Sequence, residues 1–291
     1  RLSDLPGVAQ RCKELRKADR DPVREVFLRN LKSHVGWVEK KVNCDYLLAV
    51  ARRRLEENRD PGAYFAHEVA SHFANLLRVS RVEGTRFHAG DCLLALMPLM
   101  HATQRNEVAV ELLRSLELDA EAITRYIPRF LGGVLASLPD QEFEEALSDI
   151  GANLQRGTEG LQRLLLQTVC WVLLSLDVKR LDETVHRRLV GMLLGALAES
   201  RLATANEAYA QMAQVLERLS RQRDDGRLQA FRQLASKKLF SLITHHPGDR
   251  VRFFLVASAL NHLQRAVERS RRGARFPEHP SVALVPGTFD P

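Results

Sequence analysis

Apolar residues recur at three- and four-residue steps from the start of the chain to about residue 270, the spacing of helices that bury one face. Asp21-Pro22 gives the clearest start signal, because Asp can cap a first turn and Pro fits there without removing a needed donor. The pattern therefore predicts one long helix from this point. Its buried face would consist of Val23, Val26, Phe27, Leu31, Val35 and Val38.

Asp60-Pro61 repeats this start signal, and the same apolar spacing then runs from Tyr64 to Leu77. Short breaks separate the other predicted helices, so consecutive helices must turn back on one another. These helices cover residues 43–57, 89–102, 105–116, 120–137, 140–155, 158–176, 179–199, 205–222, 227–245 and 249–271. The two most apolar of them predict core positions at Leu165, Val169, Leu173, Leu193, Leu194 and Leu197.

A dozen antiparallel helices fit either a closed bundle or a stacked solenoid. Helix pairs recur about every 35 to 45 residues, which is the range of two-helix HEAT-like units. The tripeptide Arg-Asp-Pro also occurs twice, at 20–22 and 59–61. We therefore predict an all-α fold over residues 1–272, a right-handed α-solenoid of HEAT- or armadillo-like helix pairs.

The helical pattern ends in a segment that contains a glycine and two prolines, so we predict a linker over residues 273–280. The short apolar run Ser281–Val285 that follows is typical of a buried parallel strand. One strand cannot satisfy its own backbone groups, and its partners would have to lie beyond Pro291. We therefore expect residues 281–291 to be the first strand and loop of a truncated α/β domain.

This strand leads into Gly287-Thr288-Phe289-Asp290-Pro291. The segment resembles the start of the nucleotidylyltransferase superfamily, the cytidylyltransferase-like enzymes that include nicotinate-mononucleotide and pantetheine-phosphate adenylyltransferases. In that family, an apolar strand is followed by Gly-x-Phe-Asp-Pro and then by His-x-Gly-His at the start of a helix. The chain carries the first half of this pattern and ends before either histidine.

The resemblance implies that Gly287, Thr288, Phe289 and Asp290 would help to form a nucleotide and phosphate site. It also implies a parent domain that uses Mg²⁺ and ATP or CTP, with its catalytic histidines beyond Pro291. A glycine loop before a helix N-terminus suits phosphate, since the backbone can approach closely and the helix end favours an anion. Because the histidines are missing, we expect no catalysis by this chain alone.

The remaining composition is that of a folded protein, with 45% apolar and 27% charged residues. The net charge of +7 could attract nucleic acid, but acidic residues are interspersed with the arginines, which favours solvated helix faces.

Polar residues interrupt the most apolar stretch, Leu161–Leu176, so we predict no membrane segment. The widely spaced cysteines predict reduced thiols, no metal site and a cytoplasmic location: Cys12, Cys44, Cys92 and Cys170.

Two histidine patterns suggest metal chemistry at first sight. His67 and His72 are five residues apart, and zinc-protease histidines are four apart on one helix face, so we expect these two at the polar margin of a helix without a shared ligand. His245-His246 followed by Asp249 is explained by a helix end, a turn and a cap. Trp37 and Trp171 lie at helical spacing among apolar residues and are predicted to pack in the core.

Three functional hypotheses follow from these patterns. The first is an N-terminal helical interaction or regulatory domain of a multidomain nucleotidylyltransferase-like protein, with its own catalytic domain or another protein as partner. The second is a HEAT-like protein–protein scaffold in which the terminal motif is fortuitous. The third is a basic solenoid that binds nucleic acid.

Overall fold

The computed structural model describes residues 22–32, 34–57, 64–117, 125–177, 179–197, 202–221, 225–245 and 250–272. Within these ranges all regular structure is helical, with no strand. The described residues form twelve α-helices and one 3₁₀ turn, Met97–Leu99. The helices are α1 Pro22–Leu31, α2 Trp37–Glu56, α3 Tyr64–Val79, α4 Glu83–Leu96, α5 Ala102–Leu116, α6 Ile127–Ala136, α7 Asp140–Arg156, α8 Glu159–Ser175, α9 Glu183–Ala196, α10 Leu202–Arg221, α11 Asp225–His245 and α12 Arg250–Arg272.

Residue contacts divide the chain into two compact units, Arg1–Gln211 and Met212–Pro291. In the first unit, helices pack against the next helix in sequence and also against the next but one. The helices α2, α4, α6 and α8 therefore stack in an even row, and α3 packs on α5 and α7 on α9 in an odd row. In the second unit, α11 packs on α12. The stacked helix pairs of the first unit confirm the predicted helical-repeat architecture.

Helix ends follow local chemistry. Thr158 Oγ1 accepts from the backbone N–H of Leu161 at the start of α8, and Asp182 Oδ1 accepts from that of Val185 at the start of α9. The apolar faces of these helices are buried as predicted. Each predicted core residue is at most 4% exposed: Leu165, Val169, Leu173, Leu193, Leu194 and Leu197.

The prediction of one long helix through Val38 is wrong. The helix α1 ends at Leu31 and α2 begins at Trp37, with Gly36 in an extended conformation (φ −64°, ψ 154°) immediately before it. The apolar spacing runs across this break: Val35 is buried between the two helices, whereas Leu31 and Val38 of the predicted buried face are 51% and 57% exposed. Periodicity alone therefore could not locate the turn.

Two other sequence predictions need correction. The helix predicted over 89–102 lies earlier in the chain, because α4 runs from Glu83 to Leu96 and a 3₁₀ turn follows it at Met97–Leu99. Trp37 was expected in the core, yet its side chain is 49% exposed and carries Lys41 Nζ over its ring at 5.6 Å. None of the described helices is long and apolar enough to cross a membrane.

Candidate functional site

Polar side chains in the stacked helices bond to side chains about one helix pair further along the chain. Thr204 Oγ1 donates to Gln162 Oε1 at 2.9 Å across 42 residues, which joins α10 to α8. Arg188 Nη2 donates to Ser148 Oγ at 2.8 Å across 40 residues, which joins α9 to α7. Arg188 also bonds to Glu144, 44 residues away, so these contacts span 40 to 44 residues, in agreement with the period that the sequence predicts.

One set of equivalent positions forms a row across three repeats, which we call the arginine–aromatic row: Phe87 on α4, Arg129 on α6 and Trp171 on α8. The guanidinium carbon of Arg129 lies 5.1 Å from the centroid of the Phe87 ring and 5.6 Å from that of Trp171. Both distances are within cation–π range. The Arg129 side chain stays 42% exposed, and its Nη2 lies 3.4 Å from Asp91 Oδ1. The row therefore presents a cation between two aromatic rings at the surface.

Glycines bring the three helices of this row close together. A Cβ atom at Gly132 would overlap the Cβ of Trp171 and lie 2.9 Å from the Trp171 carbonyl carbon. A Cβ atom at Gly90 would overlap the ring of Phe130. Each glycine stands three residues after a row position, Phe87 or Arg129, so the close helix approach recurs in successive repeats.

A cluster of metal-ligand side chains joins α2 to α4. His88 Nε2 lies 2.7 Å from Asp45 Oδ1, and Cys92 Sγ lies 3.9 Å from the same oxygen. Burial, reinforced by the Asp45 charge, raises the pKa of Cys92 to about 12. Sequence reasoning missed this cluster because Asp45 is 43 residues from His88. The one available signal was that His88 and Cys92 are four residues apart, on one helix face.

A buried polar network occupies the core between α1, α2 and α3. Asn43 Nδ2 donates to Asn30 Oδ1 at 2.9 Å, and Asn30 Nδ2 lies 3.3 Å from His72 Nε2. Burial lowers the pKa of His72 to about 4, so this ring is neutral and can accept the amide hydrogen.

The two histidines of α3 point to different environments. His67 Nε2 lies 3.4 Å from Glu107 Oε2 on α5, at the surface, whereas His72 is only 8% exposed. The expectation that His72 lies at a polar margin is wrong, because Asn30 provides a polar partner inside the core.

Several predicted site residues lie outside the described residues. They include the whole nucleotide motif, Gly287, Thr288, Phe289 and Asp290, the strand before it, and His246 to Asp249 of the second histidine pattern. The predicted Mg²⁺ and ATP or CTP site is therefore not placed by the structure.

A pocket of about 530 Å³ opens between α3 and α5. Arg78 donates to Ser115 Oγ at 3.3 Å and pairs with Glu111 Oε1 at 3.4 Å within it. These two contacts of Arg78 hold α3 and α5 together across the pocket.

No protein-family model and no curated protein matches the chain. Among solved structures, the chain is similar to one described as "Structural Basis of Microtubule Plus End Tracking by XMAP215, CLIP-170 and EB1". The two chains are 13% identical over 81% of this chain and 88% of that chain, with a TM-score of 0.43. A designed armadillo repeat protein in complex with the peptide (KR)4 matches with 14% identity over 84% of this chain and 100% of that chain, at a TM-score of 0.34. Such weak similarities assign no function, which has to come from the chain's own contacts.

Proposed function

We propose that the chain is a helical-repeat module that binds a protein partner across the arginine–aromatic row. The observation that carries this proposal is the partly exposed guanidinium of Arg129 between the rings of Phe87 and Trp171. Tryptophan and arginine are enriched among the residues that dominate protein–protein binding energy. Rings held in place by neighbouring helices also lose little conformational entropy when a partner docks.

The partner should carry a carboxylate that reaches Arg129. A guanidinium has five N–H donors in a planar fork that matches a carboxylate, and the contact with Asp91 at 3.4 Å is a long one. A carboxylate from a partner would form shorter, bidentate bonds in its place. An apolar side chain beside it would pack on the partly exposed ring of Trp171.

A nucleic-acid partner is less well supported, because arginines across the described helices pair with carboxylates on neighbouring ones. Examples are the ion pairs Arg29–Glu39, Arg163–Glu207, Arg180–Asp140 and Arg188–Glu144. Such pairing interrupts the continuous positive stripe that tracks a phosphate backbone. Nucleic-acid binding thus remains the weaker alternative for this basic chain.

The test begins with affinity capture of a partner from source-cell extract, followed by purification of that partner. We expect Trp171→Ala and Arg129→Ala each to raise the Kd about 30-fold, as hot-spot truncations do. Tyr64→Ala on α3 and Arg187→Ala on α9 are matched controls, since they remove exposed side chains from helices outside the row. Wild-type affinity in both row variants would rule out the arginine–aromatic row as the surface that binds the partner. Tight, salt-sensitive binding of labelled RNA or DNA would favour the nucleic-acid alternative instead.

The motif at 287–290 supports a second proposal, that the repeats belong to a nucleotidylyltransferase-like protein using Mg²⁺ and ATP or CTP. This proposal depends on the sequence resemblance alone. The coding sequence after Pro291 should then encode His-x-Gly-His or a close variant, and reading roughly twenty further residues tests this, since the family's helix that follows the phosphate loop begins with that motif. Calorimetric titration of this chain with MgATP or MgCTP should show no binding at millimolar levels. Tight binding that Thr288→Ala abolishes would contradict the proposal that the nucleotide site needs the residues after Pro291.

A further inference from the structure

Three side chains of different chemistry converge where α2 packs on α4. Asp45 extends from α2, and His88 and Cys92 lie one turn apart on α4. One oxygen of Asp45 lies 2.7 Å from His88 Nε2 and 3.9 Å from Cys92 Sγ. The three potential ligand atoms all lie within 4.8 Å of one another.

A thiolate, an imidazole and a carboxylate are the three ligand types that zinc takes from proteins. With bonds of about 2.0 Å to nitrogen and oxygen and about 2.3 Å to sulfur, tetrahedral ligands lie roughly 3.2 to 3.8 Å apart. Small side-chain rotations of His88 and Asp45 would therefore open the present cluster enough for a cation. Both residues have the freedom to do so, since their side chains are 23% and 42% exposed.

Burial is graded across the cluster. Cys92 is only 4% exposed, whereas Asp45 reaches solvent. A cation would thus have the thiolate beneath it, a protein ligand on each side and water above it. Three protein ligands with one position for solvent is the arrangement of open zinc sites.

We propose that Asp45, His88 and Cys92 form a binding site for a zinc-type divalent cation that links α2 to α4. Cys92 would release its thiol proton to solvent as the metal–sulfur bond forms. The thiolate favours zinc over magnesium or calcium, which prefer oxygen ligands. The competing arrangement is a metal-free ion pair between Asp45 and His88 with a neighbouring thiol, and it predicts no stoichiometric metal binding.

The experiment is a titration of the metal-free, reduced protein with Co²⁺, followed by absorbance. One equivalent should give a thiolate-to-cobalt charge-transfer band and the intense d–d bands of four-coordinate cobalt, and Zn²⁺ should abolish both. Cys92→Ser should lose the charge-transfer band. His88→Gln and Asp45→Asn should weaken cobalt binding on the order of 100-fold, since even indirect contacts to a metal change affinity by 10- to 100-fold.

Two buried cysteines provide matched controls. Cys44 lies beside Asp45 in sequence but contacts Asn30 in the core, and Cys170 lies on α8. Cys44→Ser and Cys170→Ser should keep the wild-type spectrum. Because His88 and Asp45 are partly exposed, their variants should fold, as circular dichroism will show, and they carry the test if Cys92→Ser does not fold. A missing charge-transfer band in the wild type, or its persistence in Cys92→Ser, would overturn the proposal.

Discussion

Two parts of the first unit bury their side chains by different means. Between α4, α6 and α8 the packing depends on glycines, with the Phe130 ring against Gly90 and the Cβ and backbone of Trp171 against Gly132. Between α1, α2 and α3 the core contains the amide and imidazole network of Asn30, Asn43 and His72. The first region depends on shape, because Gly90 and Gly132 leave room only for the atoms that pack against them. The second depends on protonation, because buried polar groups must keep their hydrogen bonds.

The polar region also has an aromatic component. The ring of Phe27 meets that of His72 edge-on at 4.8 Å between centroids. His72 therefore packs like an aromatic residue while its Nε2 accepts from Asn30. A charged imidazolium would lose the acceptor and remain surrounded by protein. The two regions should accordingly respond to different perturbations, cavities in one and acid in the other.

The largest effect should come from Phe130→Ala in the shape-dependent region. Phe130 is fully buried, so its loss should lower the free energy of unfolding by about 3 to 5 kcal/mol. Urea denaturation followed by circular dichroism gives this value. Leu99→Ala is the control, since Leu99 is 45% exposed and its truncation should change little. Equal midpoints for the two variants would show that the ring does not fill the core between α4 and α6.

The next effect should come from acid acting on the polar region. The unfolded histidine has a pKa of 6.5 and the folded one about 4, so the unfolded chain binds a proton first as pH falls. The contribution of the neutral His72 ring to the free energy of unfolding is thus fully present above pH 6.5. It is lost as the pH falls towards 4, by on the order of 3 kcal/mol.

The matched variant for this prediction is His72→Gln, which keeps an acceptor for Asn30 but does not titrate in this range. Urea midpoints measured between pH 7 and pH 4 should fall more steeply for the wild type than for this variant. Parallel pH profiles would mean that His72 is protonated as easily in the folded chain as in the unfolded one.

The smallest effect should distinguish two glycines in helices. Gly132→Ala places a methyl group against the Trp171 backbone and should cost about 2 to 3 kcal/mol. Gly191→Ala on α9 meets no atom within 4 Å and should stabilise the protein by up to about 1 kcal/mol through helix propensity. Thermal denaturation of both variants checks the sign as well as the size. A stabilising Gly132→Ala would contradict the close helix approach.

The sequence predicted the helices better than the contacts between them. Helix α7 begins at Asp140 as expected, and its first turn carries the acidic residues Asp140 and Glu142, which favour a helix N-terminus. The cluster at Asp45 and the row through Arg129 were not predicted, since each joins residues about one repeat apart. The helical period shows which face of a helix is apolar, but it does not show which residues of the next repeat that face contacts. Trp171 illustrates the limit: its apolar neighbours predicted core packing, but contact with Arg129 became visible only in the stacked helices.

The stacking of the first unit has a kinetic consequence. Because its helices contact neighbours one or two places away, the contacts that form on folding span roughly one repeat of 40 to 44 residues. Low sequence separation favours fast folding and allows structure to start at one helix pair and spread to the next. The glycine-mediated packing of α4, α6 and α8 makes this stretch the expected nucleus, from which the helices on either side would be added in turn.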